Sequence, residues 1–168
     1  ARKYTDESWD FRISNTKTYT HCFHPYPAMM IPQVAGRLID KYGKGARTLF
    51  DPYCGTGTSL VEANLRGINA KGTDLNPLAR LIAKTKTTSI ELEILDSQFA
   101  DFNNYILQAA FHPQTEDLVL PSFRNINYWF DRNVQKDLAL IKDYIENISD
   151  GVVANFFKVA FSETIREC

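Results

Sequence analysis

Asp51-Pro52-Tyr53-Cys54-Gly55-Thr56-Gly57-Thr58-Ser59 is the stretch on which the fold turns. Before it, Arg47-Thr48-Leu49-Phe50-Asp51 reads as a short buried strand. Pro52–Gly57 then forms a loop and Thr58–Leu65 a helix, with Thr56 or Thr58 placed to cap it and Gly67 to close it. Ile68–Thr73 reads as a second strand that ends in Asp74. Pro77 opens a further helix to about Lys86, with Asn76 as its cap. Upstream, Ile31, Val34, Ala35, Leu38, Ile39 and Tyr42 fall at helical spacing within 27–42. Pro32 is tolerated in the first turn, and Gly43 and Gly45 end the helix. Residues 28–86 therefore predict helix, strand, helix, strand, helix, a β-α-β unit with a right-handed crossover.

The chemistry of the loop follows from its residue types. Gly55 and Gly57 let the backbone come close to a ligand. The helix start behind them offers free N–H groups and a partial positive charge to an anion. Asp74 stands at the end of the second strand, where a carboxylate can accept from both hydroxyls of a ribose. A P-loop needs Gly-Lys-Ser/Thr, and Thr58 follows Gly57 with no lysine. A dinucleotide fingerprint wants Gly or Ala at 60, where Leu60 stands. A ligand with an adenosine ribose and a small anionic group, but no pyrophosphate, fits this pattern, and S-adenosylmethionine is such a ligand.

Asp51-Pro52-Tyr53-Cys54-Gly55-Thr56-Gly57-Thr58 resembles the Asp-Pro-Phe-x-Gly-Ser-Gly-Thr cofactor motif of the DNA amino-methyltransferases, which methylate N6 of adenine or N4 of cytosine. Gly72-Thr73-Asp74-Leu75-Asn76-Pro77 is similar to their Gly-x-Asp-x-Asn-Pro motif. Gly72 also reads as a plain strand-end glycine, and Asn76-Pro77 as a plain helix cap. His24-Pro25-Tyr26-Pro27-Ala28, followed by Ile31-Pro32, is similar to the segment that precedes the cofactor loop in that family. The resemblance covers about residues 20–86. It implies a Rossmann-like class I methyltransferase sheet and S-adenosylmethionine as cofactor. It assigns Asp51, Cys54, Gly55, Thr56, Gly57 and Thr58 to the methionine half of the cofactor, Asp74 to its ribose and Leu75 to its adenine. Phe23, His24, Tyr26 and Pro27 would line the near wall. Core packing is the alternative for Phe23 and Tyr26, and a small, unreactive buried filler for Cys54.

Outside that region the chain reads differently. Residues 1–20 are polar and aperiodic, a polar arm; 21–90 is the cofactor-binding β-α-β region; 91–168 is a helical insert or extension. Glu91–Phe111 reads as a long helix and Asp117–Leu120 as a short strand. Asp131–Ile148 is helical through Val134, Leu138, Ile141, Ile145 and Ile148, and a last helix starts at Gly151. Asn127-Tyr128-Trp129-Phe130 either packs the helical part onto the sheet or meets nucleic acid. The fold class is thus α/β with a helical second half. Two strands do not make an independent parallel sheet, so the sheet is expected to be incomplete.

Composition bounds the rest. The chain has 168 residues, 44% hydrophobic and 23% charged. No apolar run is long enough to span a bilayer, and no signal peptide stands at Ala1-Arg2-Lys3-Tyr4. The start without Met is expected to reflect a trimmed chain. Cysteines at 22, 54 and 168 fit a reducing cytosol rather than a disulfide framework. His21-Cys22-x-His24 lacks a fourth ligand at normal metal spacing, so no metal is expected. The net charge of −1 divides unevenly: residues 1–90 carry 13 Lys/Arg against 7 Asp/Glu, and residues 91–168 carry 6 against 13. Any contact with a polyanion is therefore expected from the first half, through residues such as Arg2, Lys3, Arg12 and Lys17.

One element of the resembled family is missing. Its catalytic Asp/Asn/Ser-Pro-Pro-aromatic motif holds the target amino group and stacks on the flipped base. No Pro-Pro occurs in this sequence, and Pro121-Ser122-Phe123 does not replace it. The catalytic residues are therefore unknown, and the 168 residues alone are not expected to methylate DNA. A downstream segment or a second polypeptide would carry the motif. The expected role is the S-adenosylmethionine-binding portion of a DNA methyltransferase of restriction–modification or host marking. The alternatives are a tRNA methyltransferase fragment or a non-catalytic cofactor-binding module.

Overall fold

A computed structural model describes residues 6–111 and 118–168. The chain divides into two compact units, Ala1–Thr87 and Thr88–Cys168.

The first unit holds α1 (Pro32–Tyr42), β1 (Thr48–Asp51), α2 (Thr58–Asn64), β2 (Asn69–Gly72) and α3 (Pro77–Lys86), in the order the sequence predicts. Pro32 and Pro77 each occupy a first-turn position, where their missing N–H costs nothing. β1 and β2 pair in parallel, with Leu49 opposite Ala70 and Asp51 opposite Gly72. The pairing runs on past the strands through Thr73 N–H to the Asp51 carbonyl at 3.0 Å and Cys54 N–H to the Thr73 carbonyl at 2.9 Å.

Period-2 alternation puts Leu49 and Ala70 on one face of this sheet, the face that the helices cover. There they join two small core clusters: Ile39, Ala63 and Ile68 on one side, and Cys54, Leu60 and Ala83 on the other. Phe50 alternates to the other face and is 65% exposed. A parallel sheet is normally covered on both faces; among the described residues of the first unit, the helices cover one.

Residues 7–15 are not free of the body. Arg37 on α1 donates to the Ser8 carbonyl at 2.7 Å and stacks over the Trp9 ring at 4.1 Å. Gln33 donates to the Asn15 carbonyl at 2.7 Å.

The second unit is helical: α4 (Leu92–Phe111), α5 (Ile126–Trp129), α6 (Arg132–Glu146) and α7 (Gly151–Glu167). Its core is Ile145, Val153 and Phe157, with Phe102 and Tyr144 packed on it as tilted and edge-to-face ring pairs. Asp150 caps α7 by accepting from Val152 and Val153 N–H. An apolar groove of about 380 Å³ opens on this unit beside Leu95, Phe99 and Phe161.

The second unit departs from the sequence reading at one element. Residues 118–120, the described part of the expected strand, form no regular structure, and Asp117 lies outside the described residues. Between them and α6 stands the short α5, held by the fully buried Gln135. Its Nε2 donates to Asn127 Oδ1 and to the Phe130 carbonyl, both at 2.9 Å. Tyr128 and Trp129 stack edge to face on α5 and stay 81% and 64% exposed, so neither ring packs into a core. Among the described residues no helix is long and apolar enough to cross a membrane.

Candidate functional site

The loop between β1 and α2 is tied down by its own residues. Asp51 Oδ1 accepts from Tyr53 N–H at 3.0 Å, and its other oxygen takes the Ser59 hydroxyl. Gly57 N–H donates to the Cys54 carbonyl at 2.8 Å, closing a tight turn in which Gly55 and Gly57 stand at φ +51 and +80. A non-glycine residue would be strained at both. Gly57 has a second reason to be glycine: a Cβ there would lie 2.9 Å from Ala83 Cβ, so the turn is pressed against α3. Gly57 itself occupies the cap position of α2, and no side chain caps the helix. The expected capping by Thr56 or Thr58 is not seen. Both threonines are buried instead, and the Thr56 hydroxyl has no hydrogen-bond partner among the described residues.

Asp74 meets this turn from β2. Its Oδ2 accepts from Gly55 N–H at 3.0 Å and its Oδ1 from Asn76 N–H at 2.8 Å. The carboxylate is thereby fixed at the carboxyl ends of both strands, where open α/β sheets hold their ligands. Each oxygen keeps a lone pair for another donor. Asn76 also caps α3 by accepting from Leu78 N–H at 2.9 Å, as the sequence predicts. Leu75 beside it is 97% exposed and Tyr53 87%, two large apolar surfaces at the same mouth.

Cys54 turns away from the mouth. Its side chain is buried among Leu60, Ala83, Leu49 and Ala70, and a Cβ on Gly72 would come within 2.6 Å of it. Gly72 is therefore glycine so that β2 can pass this cysteine. Burial pushes the thiol up, and nearby Asp51 and Asp74 push it further, which makes it a poor nucleophile. Leu60 fills the same space between helix and sheet, the place where a dinucleotide loop keeps a small residue.

The segment 18–27 reaches the same mouth from the other side. Tyr26 Oη accepts from Asn76 Nδ2 at 2.7 Å, which links this segment to the residue that braces Asp74. His24 is buried, Phe23 half-buried, and Pro27 exposed. Sequence reasoning missed a polar chain behind them, buried at His21 and Glu62 and open to solvent at Arg66 and Asp40. His21 Nε2 lies 3.0 Å from Glu62 Oε1, Arg66 Nη1 lies 2.6 Å from Glu62 Oε2, and Arg66 grips Asp40 at 2.7 and 3.0 Å. The Arg66–Asp40 pair holds the guanidinium above its ordinary range and the Asp40 carboxyl below its own. The i,i+4 spacing of Glu62 and Arg66 was a usable signal. Nothing local announces a partner for Glu62 that is 41 residues away.

A strand, a Gly-x-Gly turn, a helix and a carboxylate braced past the end of the next strand thus meet at one mouth. The chain belongs to the family of the RMKL-like methyltransferase domain, which matches residues 18–112. It is 40% identical over 162 residues to the Type II methyltransferase M.MvaI of Kocuria varians, a match covering 93% of this chain and 36% of that protein. It is 30% identical over 100 residues to the Type II methyltransferase M.MjaII of Methanocaldococcus jannaschii, covering 59% and 19%. A tRNA (guanine(10)-N2)-dimethyltransferase of Methanothermobacter thermautotrophicus is 38% identical over 52 residues, covering 30% and 16%. The chain thus spans about a third or less of the length of these curated relatives. No solved structure matches it.

Proposed function

We propose that this chain is the S-adenosylmethionine-binding part of a DNA methyltransferase that modifies an exocyclic amino group, N4 of cytosine or N6 of adenine. The observation that carries the reading is Asp74, braced by Gly55 N–H and Asn76 N–H at the lip of the Gly-x-Gly turn. A carboxylate held this way accepts from the two ribose hydroxyls without having to reorganise. The cofactor's charged methionine end goes to the loop of Asp51, Gly55, Thr56, Gly57 and Thr58, where the buried Thr56 hydroxyl still has bonding capacity. Cys54 contributes its backbone there. Leu75 offers its exposed side chain to the adenine, and Phe23, His24, Tyr26 and Pro27 form the near wall.

The bound cofactor supplies an electrophilic methyl group. This chain's residues bind and orient it; the groups that hold the target amino nitrogen belong to a Pro-Pro-aromatic motif that these 168 residues lack. In this reading β1 and β2 are two strands of a Rossmann-like class I sheet, and residues 91–168 are a helical extension to the cofactor-binding region. DNA is preferred over RNA as the substrate. The similarity to a Type II methyltransferase runs over 162 residues, whereas the tRNA enzyme is matched over 52.

The test is calorimetric titration of the chain with S-adenosylhomocysteine, the product form of the cofactor. Asp74→Ala should weaken binding about tenfold to a hundredfold, the scale of hydrogen bonds to a charged group. Unchanged affinity in a folded Asp74→Ala protein would remove the ribose role and, with it, the reading.

A further inference from the structure

The segment 18–27 is fastened at three points by side chains. Thr20 Oγ1 donates to the Lys86 carbonyl at the end of α3 at 3.0 Å. Tyr26 meets Asn76 at the start of α3. Between them His21, 4% exposed, lies against Glu62 of α2. A carboxylate only accepts, so the imidazole donates its Nε2–H to it.

Glu62 is itself buried, 8% exposed, one turn into a helix that starts directly behind the Gly-x-Gly turn. A buried carboxylate is costly unless it is paired and hydrogen-bonded, and Arg66 already supplies the opposite charge. The room for that pair is reserved: a Cβ on Gly36 of α1 would lie 2.5 Å from Arg66 Nη2 and 2.7 Å from Glu62 Oε2. With its charge answered by Arg66 and braced through Asp40 to α1, Glu62 is a fixed acceptor. What the bond to His21 adds is the position of 18–27. From there the path to the site is short: Tyr26 to Asn76, Asn76 N–H to Asp74, Asp74 to Gly55 N–H.

We propose that His21 and Glu62 are positioning residues, and that their buried hydrogen bond sets segment 18–27, and through Tyr26 and Asn76 the Asp74 carboxylate, in the geometry that binds cofactor. This rests on the reading of the Asp74 loop as the S-adenosylmethionine site. Neither residue touches the cofactor; both act through the segment they hold.

The experiment uses the full chain with S-adenosylhomocysteine as the probe, comparing His21→Leu, His21→Gln and Asp74→Ala in calorimetry, with circular dichroism as the check on folding. Glutamine keeps an N–H donor at nearly the reach of the imidazole Nε2; leucine keeps the bulk and loses the donor. His21→Leu should weaken binding by about tenfold, the scale on which one hydrogen bond to a charged group matters, while His21→Gln stays within about threefold of the parent. Rescue by glutamine is the result that simple core filling would not give. If His21→Leu does not fold, His21→Asn, polar but too short to reach Glu62, takes its place with the same expected loss. Parent-like affinity in the donor-less variant, with Asp74→Ala impaired, overturns the positioning role and leaves the cofactor reading standing. Parent-like affinity in Asp74→Ala overturns the cofactor reading and the inference built on it.

Discussion

Replacing Gly55 and Gly57 one at a time by alanine separates the two reasons why the loop holds glycine. Both stand at positive φ, +51 and +80. An L side chain in that region costs about 1–2 kcal/mol. A Cβ on Gly55 meets nothing within 4 Å, so Gly55→Ala incurs that cost alone. A Cβ on Gly57 would lie 2.9 Å from Ala83 Cβ and 3.1 Å from Ala83 Cα. Ala83 is buried in α3, and a backbone atom cannot rotate away. Overpacking of this kind adds about 1–3 kcal/mol, so Gly57→Ala should lose about 2–5 kcal/mol in all. That is a large share of the roughly 5–15 kcal/mol that holds an ordinary domain folded. The assay is urea unfolding followed by tryptophan fluorescence in a Trp129→Phe background. Trp9, the other of the two tryptophans, then reports on the first unit. The midpoints should fall in the order parent, Gly55→Ala, Gly57→Ala, with little change in slope. A Gly57→Ala protein as stable as Gly55→Ala would refute the argument that the turn is pressed against α3.

Two further outcomes follow from titratable groups. Cys54 is buried, and its thiol is pushed up by burial and by Asp51 and Asp74. Iodoacetamide at neutral pH should therefore label the exposed Cys22 and Cys168 well before Cys54; peptide mass spectrometry showing Cys54 labelled as fast as the others would contradict its placement. In the second unit Tyr105 donates to Asp143 at 2.9 Å, and burial together with that carboxylate pushes its phenol up to about 12. The folded state thus holds the proton that the unfolded chain releases near the ordinary phenol value of 10.0. The contribution is complete below that value and lost as the pH rises towards about 12. Tyr105→Phe should flatten that part of the stability–pH profile, and an equally steep fall in the variant would show that another group causes it.

The core of the first unit was legible because its signals are local. Pro77 after Asn76 marks a helix start through one fixed φ and one side-chain acceptor, and α3 begins there. Asp51 and Asp74 are expected at the ends of two short strands bounded by turn residues; β1 ends at Asp51, and β2 ends at Gly72, two residues before Asp74. What stayed hidden depends on distant partners. The polar stretch before residue 20 has no apolar period, yet Ser8 and Trp9 are held by Arg37, far along the chain. His21 reads from the sequence as part of an ordinary loop with no metal to hold, and only folding brings Glu62 beside it. For Cys54 the sequence left two readings, cofactor motif and small buried filler; its side chain takes the second, in a niche that Gly72 leaves open. The strand expected at 117–120 is not formed over its described part, 118–120, for the opposite reason. Leu118, Val119 and Leu120 form a short apolar run with one β-branched residue, but Val119 is 84% exposed. Propensity without a partner ladder does not make a strand.

The one-sided sheet also governs how this chain behaves in a test tube. Among the described residues β1 pairs only with β2, so each strand has an outer row of amide groups without a ladder partner, and Phe50 lies bare on the uncovered face. Natural proteins blunt such edges with charge, proline or a covering element, because an open edge templates pairing with another copy. Each strand carries a single charged position, Asp51 on β1 and Lys71 on β2, so the β1 edge of one copy and the β2 edge of another would meet with opposite signs. Handled alone at high concentration, the chain has a built-in route to self-association.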